Sequence, residues 1–394
     1  MTQPGGPESS RSAAADGREL AGLDAITLAG LLRARQVSAR EVTAAHIERV
    51  EAVDGAVNAI VTRTFETALQ RAAAADEALA RGAEPGLLHG LPVAHKDLLE
   101  TAGVRTTYGS PLFADWVPAR DELIVARMAG AGAISLGKTN TPEFGAGSHT
   151  VNPVFGATRN PYDLTRSAGG SSGGAAAALA ARMICLADGS DLGGSLRNPA
   201  SFCNVVGLRP SPGRVPRWPT AEVADVLGVE GPMGRTVADV ALLLAVQSGP
   251  DPRVPLALDA PPPAITAPAQ VPQLLARDLR GLRVAWSPDL GLPVAADVLA
   301  ALAPARAVLA GLGCRELAPV NAGLVVMGCV IAVVEQHEIG EAADKIPGMV
   351  EVGFFVRVHM LDIIEQHHDK EGYLLGDHDI QQGFTPVEEE GAYQ

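Results

Sequence analysis

The stretch from Ser167 to Arg209 constrains this chain more than any other part of its sequence. It carries two glycine-rich segments, GGSSGG at 169–174 and GSDLGGS at 189–195, joined by an alanine-rich segment and a short apolar one. Glycine permits positive φ and a close approach of the backbone, so such segments can direct several N–H groups to one point. That arrangement can stabilise an oxyanion without charged side chains. The serines between the glycines are therefore either turn residues or reacting groups.

Two nucleotide-binding motifs are excluded for these segments. A P-loop ends in Gly-Lys-Ser/Thr, whereas GGSSGG leads directly into alanines, and the GxGxxG fingerprint is absent. As for a base, neither His95 nor His149 lies in a recognisable triad motif with an acidic residue. A lysine is the remaining option, because a desolvated lysine can accept the proton of a serine hydroxyl. Only Lys96 and Lys138 occur before residue 320, in a chain that otherwise uses arginine, which singles them out.

Sequence patterns predict alternating helices and strands. Helices are predicted at 38–53, behind a Ser38–Glu41 capping box, and at 65–81, 121–129, 174–182, 236–246 and 295–312, the last interrupted at Pro304. Strands are predicted at 58–62, 90–98, 133–136, 183–187 and 282–286, with a turn at 137–140 and a proline-rich surface loop at 250–271. This alternation predicts an α/β fold layered around a largely buried sheet.

Composition and charge narrow the function classes. The 394 residues are 47% hydrophobic with a formal net charge of −14, and no basic stripe occurs, so we expect no direct contact with nucleic acid. Four cysteines lie in apolar contexts without CxxC spacing, namely Cys185, Cys203, Cys314 and Cys329. They are interpreted as reduced core residues of an intracellular protein, and no zinc site or disulfide framework is predicted.

The N-terminal segment and the longest apolar run predict where the protein is located. The N-terminus lacks the apolar segment of a secretory signal, and residues 1–19 are predicted to be a disordered leader. The longest apolar run, from Gly323 to Val334, is too short to span a bilayer. We therefore expect a cytoplasmic protein without a membrane partner.

Six segments in order resemble one known family. They are GLPVAHKDL at 90–98, GKTNTPEF at 137–144, GGSSGGA at 169–175, DLGGSLRNPA at 191–200, GLRP at 207–210 and GPMGRTVAD at 231–239. Together they resemble the amidase signature family, hydrolases of carboxylic amides, over residues 20–316. The resemblance implies the α/β fold of that family, a central mixed β-sheet covered by helices on both faces.

The resemblance also implies a Ser–cis-Ser–Lys catalytic triad. Ser195 would be the nucleophile, Ser171 the bridging serine behind a cis peptide bond after Gly170, and Lys96 the neutral base. The base must lose its proton near neutral pH, so burial has to lower its pKa. The position of Lys96 after the apolar run from Leu91 to Ala94 agrees with that requirement.

Further residues around the triad receive predicted roles. The backbone N–H groups of Leu192, Gly193, Gly194 and Ser195 would form the oxyanion hole. Ser172 is predicted to help cap the helix that follows it. Asp191 and Arg197 are predicted to be a structural pair that braces the nucleophile loop, and Lys138 a strand-end residue.

The implied activity is hydrolysis of a small carboxylic amide to an acid and ammonia or an amine, through a serine acyl-enzyme, without cofactor or metal. The enzyme would work on a small molecule and could form a homodimer. Two alternatives stay open. One is an amidotransferase subunit that supplies ammonia for tRNA-linked amidation and needs partner chains, and the other is a catalytically impaired protein that keeps the fold.

The composition changes near residue 316, and residues 317–394 form a divergent C-terminal segment. It either packs on the core as a replacement or is foreign to the fold, and in the second case activity would suffer. His359, His367, His368, Asp369, His378 and Asp379 in this segment match no metal-binding motif. A solvated acidic tail with incidental histidines is the favoured interpretation.

Overall fold

The computed structural model describes residues 17–220, 224–259, 265–276, 278–289, 293–317 and 331–333. Thirteen strands occur among them: β1 Ile60–Arg63, β2 Pro92–Lys96, β3 Ile134–Thr139, β4 Val151–Asn152, β5 Gly156–Ala157, β6 Arg159–Asn160, β7 Asp163–Ser167, β8 Leu186–Asp191, β9 Val206–Gly207, β10 Val229–Gly234, β11 Arg283–Trp286, β12 Arg315–Leu317 and β13 Ile331–Val333.

Ten α-helices occur in the same part of the chain: α1 Gly17–Gly22, α2 Ala25–Arg33, α3 Ala39–Val57, α4 Phe65–Ala80, α5 Leu123–Gly130, α6 Gly173–Ala180, α7 Arg197–Phe202, α8 Val237–Gln247, α9 Val271–Leu275 and α10 Ala296–Gly311. Short 3₁₀ turns lie at Pro111–Phe113, Glu143–Gly145 and Pro268–Gln270.

A six-stranded mixed sheet forms the centre of the fold. Its strand order is β1-β3-β2-β8-β10-β9. Strand β2 is parallel to both of its neighbours, β3 and β8, whereas the outer pairings are antiparallel. Helices α3, α4, α6 and α8 pack against these strands. This is the predicted α/β fold, and the carboxyl ends of β2, β3 and β8 lie along one edge of its sheet.

A second, smaller sheet follows in the order β12-β11-β13. Val284 and Trp286 of β11 and Leu309 of α10 form a small buried cluster of their own, separate from the main core.

The predicted segment boundaries at residues 19 and 316 stay predictions. The histidines of the C-terminal segment, Cys329 and nearly all of the predicted leader lie outside the described residues.

The predicted capping signal locates the start of α3 correctly. Ser38 caps α3 in a full capping box with Glu41, and Thr236 caps α8 in a capping box with Asp239. Helix α3 ends four residues later than predicted, at Val57, and the residue that follows it, Asn58, has a left-handed φ of 59°. Asparagine tolerates this conformation better than most residues, so it can end a helix.

Three predictions about elements are wrong. Residues 137–140 are not a turn, because β3 continues to Thr139; a Cβ at Gly137 would overlap the carbonyl oxygen of Thr62 on β1. The strand predicted at 183–187 is shifted to Leu186–Asp191, so the start of the second glycine segment is strand. Helix α10 runs through Pro304 without interruption.

Helix α6 is buried over all of its residues except the last, Ala180. Residues 175–179 are all 0% exposed. Its small side chains let it approach the sheet closely, since a Cβ at Gly174 would overlap the backbone of Asn140 just after β3. The helix therefore brings GGSSGG, at its amino end, next to the strand edge where Lys96 lies.

Candidate active site

Lys96 is the last residue of β2 and is 0% exposed. Its Nζ lies 2.7 Å from Oγ of Ser171, 2.9 Å from Oγ of Ser172 and 3.0 Å from Oγ of Ser190. An ammonium group can donate to all three hydroxyls, whereas a neutral amine donates to two and accepts from the third. The surroundings of Nζ therefore suit both protonation states.

Burial favours the neutral amine of Lys96, whereas the surrounding charges favour the ammonium form. Burial lowers the pKa of Lys96 to about 7, against the opposing influence of Asp191, Asp188 and Glu230. Lysine is therefore half neutral near pH 7, which is the state a general base requires.

The two serines of GGSSGG occupy different positions. The peptide bond between Gly170 and Ser171 is cis, as the resemblance implies. A Cβ at Gly170 would lie 2.9 Å from the backbone of His149, so only glycine fits before Ser171. Ser172 is the N-cap residue of α6, but its side chain makes no capping hydrogen bond. The predicted capping role is wrong, because Oγ of Ser172 faces Lys96 instead.

The turn that follows β8 carries Ser195. The carbonyl oxygen of Ser195 accepts a hydrogen bond of 3.2 Å from the N–H of Ser172, and this bond connects the two glycine segments. Ser195 is half-buried. Within the described part of the chain its Oγ makes no hydrogen bond, so the contact from Ser171 to Ser195 that a relay needs is not made here.

Asp191 organises the same turn. Arg197 pairs with it through Nε at 2.9 Å, as predicted, and Arg209 contacts it at 3.2 Å. Burial acts to raise the pKa of Asp191, but hydrogen bonds and charge from the two arginines lower it below the usual value. Both oxygens also accept N–H groups of the turn, from Gly194 at 2.8 Å and from Leu196 at 3.1 Å.

The bond to Gly194 corrects one prediction. Its N–H is engaged by Asp191 and is not directed at a substrate, so the predicted oxyanion hole of four donors is wrong at this position. The N–H groups of Leu192, Gly193 and Ser195 keep that role as a prediction. Leu192 is 62% exposed, which agrees with a turn that faces open space.

Lys138 lies apart from the serines. It stands near the end of β3, is 0% exposed, and its amine contacts the carbonyl oxygen of Leu99 and, at 2.9 Å, Oγ1 of Thr101. Burial lowers its pKa to about 8. Both lysines are thus buried and have a lowered pKa. Of the two, Lys96 is the one that contacts the serine hydroxyls that could react.

Sequence reasoning missed Ser190 and Asp188. Ser190 is a third partner of Lys96, and Asp188 Oδ2 lies 2.5 Å from Nδ1 of His95. His95 therefore has an acidic partner, which the sequence did not indicate because the two are separated by 93 positions. His149 instead contacts Oγ of Ser167 at 2.8 Å. The two-residue periodicity of side chains along β8 is the signal that could have found Asp188, because Asp188 and Ser190 lie on the same face of that strand.

Fold and site define a class of α/β proteins in which a strand-end lysine is buried among serine hydroxyls. The family model described as Amidase matches residues 41–345, and the chain belongs to this amidase signature family. Its members act on carbon–nitrogen bonds. No helix within the described residues is long and apolar enough to cross a membrane.

Relatives of two kinds are similar to this chain. The A subunit of glutamyl-tRNA(Gln) amidotransferase from Moorella thermoacetica is 51% identical over 245 residues, which cover 62% of this chain and 50% of that protein. A bacterial aryl acylamidase of the amidase signature family has a TM-score of 0.71 at 33% identity, covering 76% of this chain and 61% of the other. The A subunit of the Thermotoga maritima glutamyl-tRNA(Gln) amidotransferase has a TM-score of 0.64 at 30% identity, covering 77% and 62%. The chain spans about half the length of the curated relatives it matches.

Proposed function

We propose that this chain cleaves a carboxylic amide through an acyl-enzyme on Ser195, with Ser171 as the bridging residue and Lys96 as the base. The observation that carries the proposal is the 2.7 Å contact between a fully buried lysine amine and Oγ of Ser171. A lysine with a pKa of about 7 offers a lone pair at neutral pH, which an exposed lysine does not.

In the proposed acylation step, Oγ of Ser195 attacks the amide carbon. The Ser195 proton passes to Oγ of Ser171 while the Ser171 proton passes to the amine of Lys96. The negative charge that develops on the carbonyl oxygen would be held by N–H groups of the Ser195 turn. When the C–N bond breaks, Lys96 returns its proton through Ser171 to the leaving nitrogen, and ammonia or an amine departs. Water then hydrolyses the ester by the same route.

This sequence of steps requires a hydrogen bond between Ser195 and Ser171. The main-chain hydrogen bond from Ser172 to Ser195 keeps the two segments adjacent. The Ser195 side chain alone would therefore have to be reoriented to make the bond to Ser171. Ser172 and Ser190 support the amine from two further directions. They would hold Lys96 in place while its proton is exchanged with Ser171.

A second candidate concerns the fate of the ammonia. The identity of 51% with the A subunit of a glutamyl-tRNA(Gln) amidotransferase favours an amidotransferase role over that of a free-standing amidase. In that role the same chemistry would release ammonia from an amide donor for use by partner chains. The two candidates share the triad and differ in substrate and partners.

The chemistry is tested by labelling with a serine-directed fluorophosphonate. We expect the wild type to be labelled and Ser195→Ala not to be labelled. Ser201→Ala is the matched control, because Ser201 lies on the neighbouring helix α7 with an exposed side chain whose hydroxyl donates to the carbonyl oxygen of Asn198. Equal labelling of wild type and Ser195→Ala would contradict the assignment. A folded wild type that is neither labelled nor active would support the impaired alternative.

Substrate and partners are tested by ammonia release from glutamine, asparagine and a panel of aliphatic and aromatic amides. Release from the panel by the chain alone would support the amidase candidate. Release from glutamine that depends on the other subunits of a glutamyl-tRNA(Gln) amidotransferase would support the second candidate. A cytoplasmic location and a homodimer stay predictions.

A further inference from the structure

Lys96 is held from its main chain as well as through its amine. The N–H of Lys96 donates a hydrogen bond of 2.8 Å to Oδ1 of Asp188. The other oxygen of this carboxylate, Oδ2, lies 2.5 Å from Nδ1 of His95, the residue before Lys96 on β2. Asp188 is 0% exposed and His95 is 3% exposed, so water does not compete for these bonds.

We propose that Asp188 and His95 are a positioning pair that fixes the strand end at Lys96 and sets the electrostatic field at its amine. The inference rests on the proposed role of Lys96 as the base. It assigns to Asp188 a task that no part of the triad performs, because the serines contact only the tip of the lysine side chain.

Other charged groups around Lys96 are already compensated. Asp191 on β8 is paired with Arg197 and Arg209. Glu230 on β10 shares a hydrogen bond with Glu122, and burial raises the pKa of Glu230 well above its usual value. Arg217 lies 3.4 Å from Glu230 as well.

Asp188 differs from these two carboxylates. Its direct side-chain partner is the imidazole of His95, and its charge also acts on Lys138 across the sheet and on Glu230. Its charge raises the pKa of Lys96 and opposes the lowering by burial. A charge in a buried site acts strongly on its neighbours because little solvent screens it. Asp188 therefore acts on Lys96 in two ways, through its charge and through the hydrogen bond that it accepts from the Lys96 N–H.

The test measures the lysine itself. The chain contains four lysines, Lys96, Lys138, Lys345 and Lys370, so isotope-labelled lysine gives an NMR spectrum that can be assigned, with the Lys96 signal identified by its loss in Lys96→Met. Asp188→Asn keeps an oxygen that can accept the N–H of Lys96 but removes the negative charge. We expect the pKa of Lys96 to fall by about one pH unit, and the acid limb of amide hydrolysis to move to lower pH with it.

Three further variants separate positioning from general stability. Asp188→Ala also removes the acceptor, so it should lower the plateau rate relative to Asp188→Asn. His95→Phe should change the pKa of Lys96 in the wild-type background but not in Asp188→Asn, because His95 acts through Asp188. Asp239→Asn is the control: Asp239 is equally buried but accepts from Ala25 and Thr236, so stability should fall while the pKa of Lys96 stays the same.

An unchanged pKa of Lys96 in folded Asp188→Asn would overturn the inference. If Asp188→Asn does not fold, His95→Phe decides the point, since an unchanged pKa there also overturns it. Failure of the proposed function looks different, because it would appear in the wild type as an absence of amide hydrolysis and of Ser195 labelling. The NMR titration needs neither activity.

Discussion

Replacing Lys96 by methionine should stabilise the protein at neutral pH while it abolishes the chemistry. A lysine in an unfolded chain has a pKa of about 10.4, whereas burial lowers that of Lys96 to about 7. Between these values the unfolded chain holds a proton that the folded chain has released. The unfolded state therefore binds more protons, and stability rises with pH across this window.

The magnitude follows from the same two values. Keeping Lys96 buried costs the folded state on the order of 4 kcal/mol at pH 7 and less than about 1 kcal/mol at pH 10. Methionine removes this cost but also removes three hydrogen bonds, each worth about 1 kcal/mol. We therefore expect Lys96→Met to be more stable than wild type at pH 7 by about 1 kcal/mol, and less stable at pH 10.

Urea denaturation at several pH values between these limits measures the difference. Lys138→Met is the matched control, because Lys138 is equally buried with a pKa lowered to about 8 but contacts no catalytic serine. It should show a similar, smaller pH trend and keep its Ser195 labelling, whereas Lys96→Met should lose labelling. A free-energy difference between Lys96→Met and wild type that stays constant with pH would refute the reasoning.

Two further predictions concern the frame of the site. Arg197→Met leaves Asp191 buried without its main partner, and we expect a loss of about 3 kcal/mol in the free energy of unfolding together with reduced Ser195 labelling. Thermal unfolding measures the first effect and the labelling assay the second. An unchanged melting temperature would contradict a bracing role for Arg197. Gly174→Ala should destabilise the protein by several kcal/mol because its Cβ overlaps Asn140, whereas Gly30→Ala, in an exposed part of α2 with open space around it, should stabilise by about 0.5 kcal/mol. Equal denaturant midpoints for these two alanine variants would show that close packing of α6 does not matter.

The sequence predicts those features that depend on residues close together in the chain. The capping box at Ser38 needs only a partner three residues away, and the amphipathic pattern that begins at Thr236 is equally local; both helix starts are correct. Glycine spacing around Ser171 and Ser195 is local in the same sense, and the ordered motifs identify the family.

Features that depend on neighbours distant in sequence were predicted wrongly or not at all. Gly137 reads as a turn residue, but the approach of β1 decides its conformation and keeps it in a strand. Ser172 reads as a helix cap, but its hydroxyl accepts a hydrogen bond from Lys96 on β2. The Asp188–His95 pair depends on β2 and β8 lying side by side. Contacts between elements distant in sequence, and not the local pattern, determine all three.

Helix α6 has a consequence for how this protein can diversify. Its buried residues are two glycines, four alanines and Leu179, and Leu179 lies at the end away from the serine turn, so no large side chain next to the serines could be exchanged for a smaller one to make room. A larger residue there would push the GGSSGG turn away from Lys96. Substrate preference in descendants of this chain should therefore change through the exposed turns around Leu192 and not through the helix behind the serines.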